Sequence, residues 1–215
     1  MTTLHTLDDG PADADCRLLL AHGAGAPMDS AFLETFVKLM TARSIATTRF
    51  EFEYMAARRD GGKRKPPPKA ERIVQDYASA VETVRARMPK GQRLFVGGKS
   101  MGGRVASLIA DELHAKGAIA GLVCLGYPFH PPTKPEHLRT AHLLAMQCPA
   151  LIVQGERDPF GPRAEVATMA LPASIRLHWA ADGDHDLGPR GASGFTRRGN
   201  LEAAADAVAA FARPS

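Results

Sequence analysis

Short, continuously apolar runs alternate along this chain with longer stretches in which apolar residues recur every three or four positions. The runs Arg17–Ala21, Ile45–Phe52, Arg93–Gly97, Ile119–Leu125, Ala150–Gln154 and Ile175–Trp179 are predicted as strands, about six in all. Several are apolar throughout rather than at alternate positions, which suits strands covered on both faces. Between them, Phe32, Leu33, Phe36, Val37 and Met40 form a helical stripe behind the cap candidates Asp29 and Ser30. Ile73, Val74, Tyr77, Val81, Val84 and Met88 form a second stripe, stopped by Pro89 and Gly91. Met101, Val105, Leu108, Ile109 and Leu113 form a third, closing at Gly117. A fourth begins after Asn200 with Leu201, Ala204, Ala205, Val208 and Phe211. Strands alternating with helices predict an α/β architecture, a mainly parallel sheet flanked by helices on both faces.

No internal repeat and no boundary composition interrupts the pattern, so 215 residues are expected to form a single domain over 1–215. Late in the chain, the stretch 126–146 is the longest insertion between consecutive strands. It holds Pro128, Pro131, Pro132 and Pro135 and then a predicted short helical segment. About twenty residues leave no room for a large cap. A shallow, open site for small or surface-presented acyl groups is therefore expected.

The apolar fraction of 45% and charged fraction of 23% are those of an ordinary globular protein. No apolar run approaches the length that crosses a bilayer, and the first thirty residues lack a secretory pattern, so a cytoplasmic protein is expected. Cys16, Cys124 and Cys148 have no CxxC spacing and are expected to be buried, reduced thiols. The net charge of +4 is uneven: Arg58, Arg59, Lys63, Arg64, Lys65 and Lys69 crowd one Gly- and Pro-rich segment, predicted as an exposed loop. No aromatic residues interleave these cations, so a nucleic-acid surface is not indicated. Nothing in the sequence indicates oligomeric state.

Ligands of open parallel sheets bind at the carboxyl ends of the strands. Polar residues gather after four of the predicted strands. After Arg93–Gly97 comes Gly98-Lys99-Ser100-Met101-Gly102, a G-x-S-x-G pattern between a strand and a helix. There a tight turn lifts a serine hydroxyl above the sheet. A plain turn and a phosphate loop are the other readings of these glycines, but the Walker spacing is absent. After Ala150–Gln154 comes Asp158, with Glu156 as its competitor, and after Ile175–Trp179 comes His185. A hydroxyl needs a base to take its proton, and an imidazole does this best when an acid orients it. Ser100, Asp158 and His185 are thus the catalytic candidates. Asp182, Asp184 and Asp186 flank His185 and raise a metal reading, but they lack a calcium-loop pattern; neither a metal nor another cofactor is expected. His22-Gly23-Ala24-Gly25-Ala26 follows the first predicted strand. The amides of Met101 and of Ala24 or Gly25 are the oxyanion-hole candidates. His22 is expected to hold that loop through its ring. Tyr127, Phe129 and His130 are the pocket candidates, with packing of the proline-rich connection as their alternative role.

The elbow, the order Ser100…Asp158…His185 and the loop 22–26 resemble the α/β-hydrolase superfamily over nearly the whole chain. The resemblance is to compact members similar to dienelactone hydrolases and small carboxylesterases. More narrowly, residues 22–26, 98–102, 125–132 and 184–187 resemble a group of bacterial predicted hydrolases. That group is related to a eukaryotic subunit of a histone-acetyltransferase (NSL) complex. Dienelactone hydrolases proper carry Cys where this chain has Ser100. The resemblance implies an α/β-hydrolase fold with little or no cap. It also implies a serine-dependent enzyme of the carboxylesterase kind acting on a small-molecule ester or thioester. Neither nucleic acid nor a membrane is expected as a partner, given the run lengths and the loop composition above. A binding or scaffold protein that keeps the fold is the alternative, and amide or peptide hydrolysis would use the same machinery.

Overall fold

The computed structural model describes residues 4–59, 61 and 66–213. Its sheet has seven strands: β1 (Thr6–Asp9), β2 (Cys16–Ala21), β3 (Ala46–Phe50), β4 (Arg93–Lys99), β5 (Gly121–Leu125), β6 (Ala150–Gly155) and β7 (Ile175–Ala180). They lie in the order β1-β3-β2-β4-β5-β6-β7, and every pair is parallel except β1 with β3. The α/β-hydrolase architecture expected from the sequence is therefore present, with one strand more than the six predicted. The extra strand is the polar Thr-Leu-Asp-Asp edge, which pairs on one side only. Its acids take ion pairs instead of core contacts, Asp8 with Arg17 and Asp9 with Arg49. Charge on an edge strand discourages pairing with another chain.

Strand residues alternate between two apolar layers. Leu19, Val96, Leu122 and Ile152 face one layer, built with α3 (Val74–Arg87), α4 (Met101–Ser107) and α5 (Ala110–Ala115). Leu18, Leu20, Phe95, Val123 and Val153 face the other, built with α1 (Ala31–Thr41) and α7 (Arg197–Ala212). Burial on both faces explains why these strands read as unbroken apolar runs. Tyr77 of α3 carries its hydroxyl into the sheet, within 2.9 Å of the Leu19 oxygen and accepting from the Gly97 amide at 2.8 Å.

Four details differ from the sequence reading. The helix expected over 101–113 is broken into α4 and α5, because the Ser107 hydroxyl bonds the Arg104 carbonyl (2.7 Å) and Ile109 leaves helical geometry at φ −120°. The strand expected to reach Phe52 stops at Phe50, and a short helix α2 (Glu53–Arg59) takes Arg58 and Arg59 out of the predicted loop. Lys63, Arg64 and Lys65 lie outside the described residues. The segment expected to be helical before Cys148 is a series of turns, with Leu143 and Leu144 both bonded to the Thr140 carbonyl. The short helix α6 (Arg163–Val166) follows Pro162. No helix among the described residues is long and apolar enough to cross a membrane. All three cysteines are free and buried, and burial raises the thiol pKa of each.

Candidate active site

Ser100 sits between β4 and α4 with φ 52° and ψ −114°, a conformation that non-glycine residues rarely adopt. The turn is held by the Ser100 amide, bonded to the Leu125 carbonyl at 3.0 Å, and by the Arg104 amide, bonded to the Ser100 carbonyl at 3.0 Å. The flanking glycines make this turn possible. A Cβ at Gly98 would lie 2.3 Å from the Ala21 oxygen, and one at Gly102 would lie 2.5 Å from the same atom. Both approaches are to main chain, which has no side chain to swing aside.

His185 brings Nε2 to 2.9 Å from the Ser100 hydroxyl oxygen and Nδ1 to 2.8 Å from Asp158 Oδ2. Since a carboxylate only accepts, Nδ1 carries the ring proton and Nε2 is free to accept from the serine. Asp158 is fully buried. Its Oδ2 also accepts from Gln154 Nε2 at 3.0 Å, and its Oδ1 from the Phe160 amide at 2.9 Å. The competitor Glu156 is committed elsewhere, accepting from the Asp182 amide and pairing with Arg163.

The loop carrying His185 is tied at several points. Asn200 at the start of α7 is buried and donates to the carbonyls of Ala181 (2.9 Å) and Leu187 (2.8 Å). Lys99 is only 7% exposed; its ammonium donates to the His185 carbonyl at 2.8 Å and pairs with Asp186 at 3.2 Å. Burial lowers the Lys99 pKa, while Asp186 opposes that. Asp182 is gripped by Arg190 and Arg157, and the Arg190 hydrogen bonds hold its pKa down at about 2. Asp184 Oδ1 accepts the amides of Asp186 and Gly188. Each acid of this loop is thus occupied in shaping it, and no three metal-binding side chains gather among the described residues.

The loop after β2 approaches Ser100 from the other side. The His22 ring is fully buried, donating from Nδ1 to the Gly23 carbonyl (2.6 Å) and accepting from the Phe52 amide at Nε2 (3.2 Å). Burial lowers its pKa, in keeping with a neutral ring. Tyr54 donates its hydroxyl to the Ala24 carbonyl at 3.1 Å, fixing the next residue. Ala24 and Met101 both line the same groove as Ser100, and Gly25 faces open space.

That groove has a volume of about 450 Å³ and is walled by Pro67, Pro68 and Lys69, by Glu71 and Arg104, and by Pro128, Arg139 and Phe160. The Phe160 ring lies 4.4 Å from the His185 ring. Tyr127, Phe129 and His130 are not among the lining residues, contrary to their candidacy for the pocket. All three are buried instead. The Tyr127 amide donates to Gln154 Oε1, Phe129 packs edge-on against Tyr127 at 4.9 Å, and His130 bonds Glu165 at 2.9 Å. Their neighbours Pro128 and Phe160 form the wall instead. Of the basic segment, Lys69 reaches the groove, together with the prolines before it.

Sequence reasoning passed over Lys99, Gln154, Asn200 and Tyr54 as site-building residues. Two signals were available: Gln154 ends an otherwise apolar strand, and Asn200 sits on the apolar stripe of α7. A polar side chain in such a place must find buried partners.

Residues 14–213 match the family described as an alpha/beta hydrolase domain. The fold is similar to dienelactone hydrolase from Anabaena variabilis (TM-score 0.71, 21% identity, covering 97% of this chain and 90% of that one). It is also similar to Est1E from Butyrivibrio proteoclasticus (TM-score 0.69, 15% identity, 97% and 92% covered). An alpha-beta serine hydrolase homologue from Coxiella burnetii gives a TM-score of 0.66 at 17% identity, with 85% and 83% covered. With the family match spanning most of the sequence, the chain belongs to the alpha/beta hydrolase family.

Proposed function

We propose that this protein is a serine hydrolase that cleaves carboxylic ester or thioester bonds of small substrates through an acyl-enzyme. The observation that carries this reading is the unbroken chain from the Ser100 hydroxyl through His185 to buried Asp158, with both links under 3 Å. His185 Nε2 takes the hydroxyl proton as Ser100 Oγ attacks the carbonyl carbon. The tetrahedral oxyanion is held by the amides of Met101 and Ala24, or of Gly25 in place of Ala24. The imidazolium, steadied by Asp158, then gives its proton to the departing alkoxide or thiolate. Water repeats the sequence on the acyl-enzyme: His185 takes a water proton, the hydroxide attacks, and Ser100 leaves with the proton returned.

The shared fold with a dienelactone hydrolase and with Est1E supports hydrolysis of an ester over other chemistry. The groove also favours small acyl groups, since no helix of the 126–149 connection roofs it. Turnover of short p-nitrophenyl esters by the wild type and by Ser100→Ala tests the reading. Loss of turnover in the variant supports it, and equal turnover by the two proteins removes it.

A further inference from the structure

The groove beside Ser100 carries an excess of positive charge. Lys69, Arg104 and Arg139 line it, and among the described residues Glu71 is the only carboxylate that does. Glu71 is already taken, in an ion pair with Arg104. Among the described residues, several other guanidinium groups have their own acids: Arg59 has Glu51 and Asp29, Arg157 and Arg190 have Asp182, and Arg163 has Glu156. Arg139 stands apart. Its side chain has no hydrogen bond or ion pair among the described residues.

Arg139 is nonetheless fixed in place. Its amide donates to the Phe129 carbonyl at 2.7 Å, and its carbonyl accepts from the Tyr127 hydroxyl at 2.9 Å. The side chain is partly buried, and burial followed by the charge of Arg104 lowers its pKa, with Glu71 opposing that without pairing to it. Arg104 is tethered beside the nucleophile by its amide bond to the Ser100 carbonyl, and its Nε is buried with no partner among the described residues. A cation on a freely solvated face would meet neither condition. A half-buried, unmatched guanidinium in a groove that holds a nucleophile is completed by a bound anion. The planar fork of arginine fits a carboxylate through two parallel hydrogen bonds, which strengthen where water is partly excluded. Because Glu71 already balances Arg104 and Lys69 is exposed to solvent, one singly charged group restores balance.

We propose that the groove selects esters that carry a carboxylate, with Arg139 as the residue that binds it and Arg104 supporting it. The selectivity for turnover rests on the serine-hydrolase reading, whereas the carboxylate subsite can be measured without catalysis.

Two arms separate the claims. In the first, wild type and Arg139→Gln hydrolyse the mono-p-nitrophenyl esters of glutaric and adipic acid and their uncharged counterparts, p-nitrophenyl valerate and hexanoate. The wild type is expected to favour the charged ester by tenfold or more in kcat/KM at low salt. That ratio should fall at least tenfold in Arg139→Gln, mainly through KM, be partly kept in Arg139→Lys, and shrink as KCl is added. In the second arm, calorimetry follows the adipate mono-ester binding to Ser100→Ala, with and without Arg139→Gln. A Kd weakened at least tenfold by the second substitution supports the subsite even if the wild type proves inactive on every ester. Equal affinity for charged and neutral esters in Ser100→Ala, or a wild-type preference that survives Arg139→Gln, overturns the inference. Wild-type turnover no higher than that of Ser100→Ala overturns only the catalytic reading.

Discussion

The ammonium of Lys99 donates to the main-chain oxygen of His185 across 2.8 Å, so the residue just before the nucleophile holds the backbone of the base. Strand β4 thereby sets the positions of both partners in the proton transfer. Truncating the contact leaves Ser100 in place but releases the loop that aims His185. Lys99→Met is expected to lower kcat about ten- to a hundredfold, with KM nearly constant, because small misplacements of reacting groups are costly. Steady-state kinetics on a short ester measures this. A rise in KM with kcat preserved would show that Lys99 acts on substrate binding instead.

Asp158 uses both carboxylate oxygens as acceptors, from Gln154 and His185 at Oδ2 and from the Phe160 amide at Oδ1. In Asp158→Asn one of those positions becomes a donor. If it faces His185, the imidazole must turn its lone pair toward residue 158 and its N–H toward Ser100, where it can no longer accept a proton. A fall in kcat of roughly 10³- to 10⁴-fold is expected while the protein stays folded. Circular dichroism beside the kinetics separates this from unfolding.

Most of the scaffold was legible because its strands are buried on both faces and its helices carry one-sided apolar stripes. What escaped was held by other forces. The edge strand β1 has no apolar run to announce it and is fixed by pairing with β3 and by Arg17 and Arg49. At the break between α4 and α5 the Ser107 hydroxyl bonds the Arg104 carbonyl and Ile109 leaves helical geometry, neither of which an apolar period announces. At the site, chain order pointed to Ser100, Asp158 and His185, and the structure brings the three together. The groove wall was not legible in the same way. Whether Tyr127 or its neighbour Pro128 faces the groove depends on the path of a proline-rich connection, and no periodicity encodes that path. Lys99, lying between Gly98 and Ser100, showed a charge but not its partner.

A methyl group at residue 102 would meet the oxygens of Ala21 and His22 at 2.5 and 2.6 Å. Relief requires either β2 or α4 to move, and both carry parts of the site. Gly102→Ala is therefore expected to destabilise the fold by about 3 kcal/mol and to lower activity further in the molecules that remain folded. Urea unfolding monitored beside activity tests both effects. A stability change under about 0.5 kcal/mol, the range of an ordinary surface substitution, would contradict the close approach.

His22 accepts from the Phe52 amide at Nε2, so protonating that nitrogen sets two donors against each other. Burial lowers the pKa of His22 in the folded state, and the unfolded chain therefore binds the proton more readily. Stability from this group is fully present above the unfolded value of about 6.5 and is lost as pH falls below it. His142 and His178, also lowered by burial, act in the same direction. The melting temperature is expected to fall between pH 7.5 and pH 5.5, and to fall less in His22→Gln. An identical pH dependence in the two proteins would remove His22 from this role.

Peptide mapping by mass spectrometry after treatment with a fluorophosphonate tests most directly whether Ser100 is the activated nucleophile. One phosphonyl adduct is expected, on the peptide containing Ser100, absent in Ser100→Ala and formed far more slowly in His185→Gln. An adduct on another residue, or an equal rate of labelling with and without His185, would contradict it.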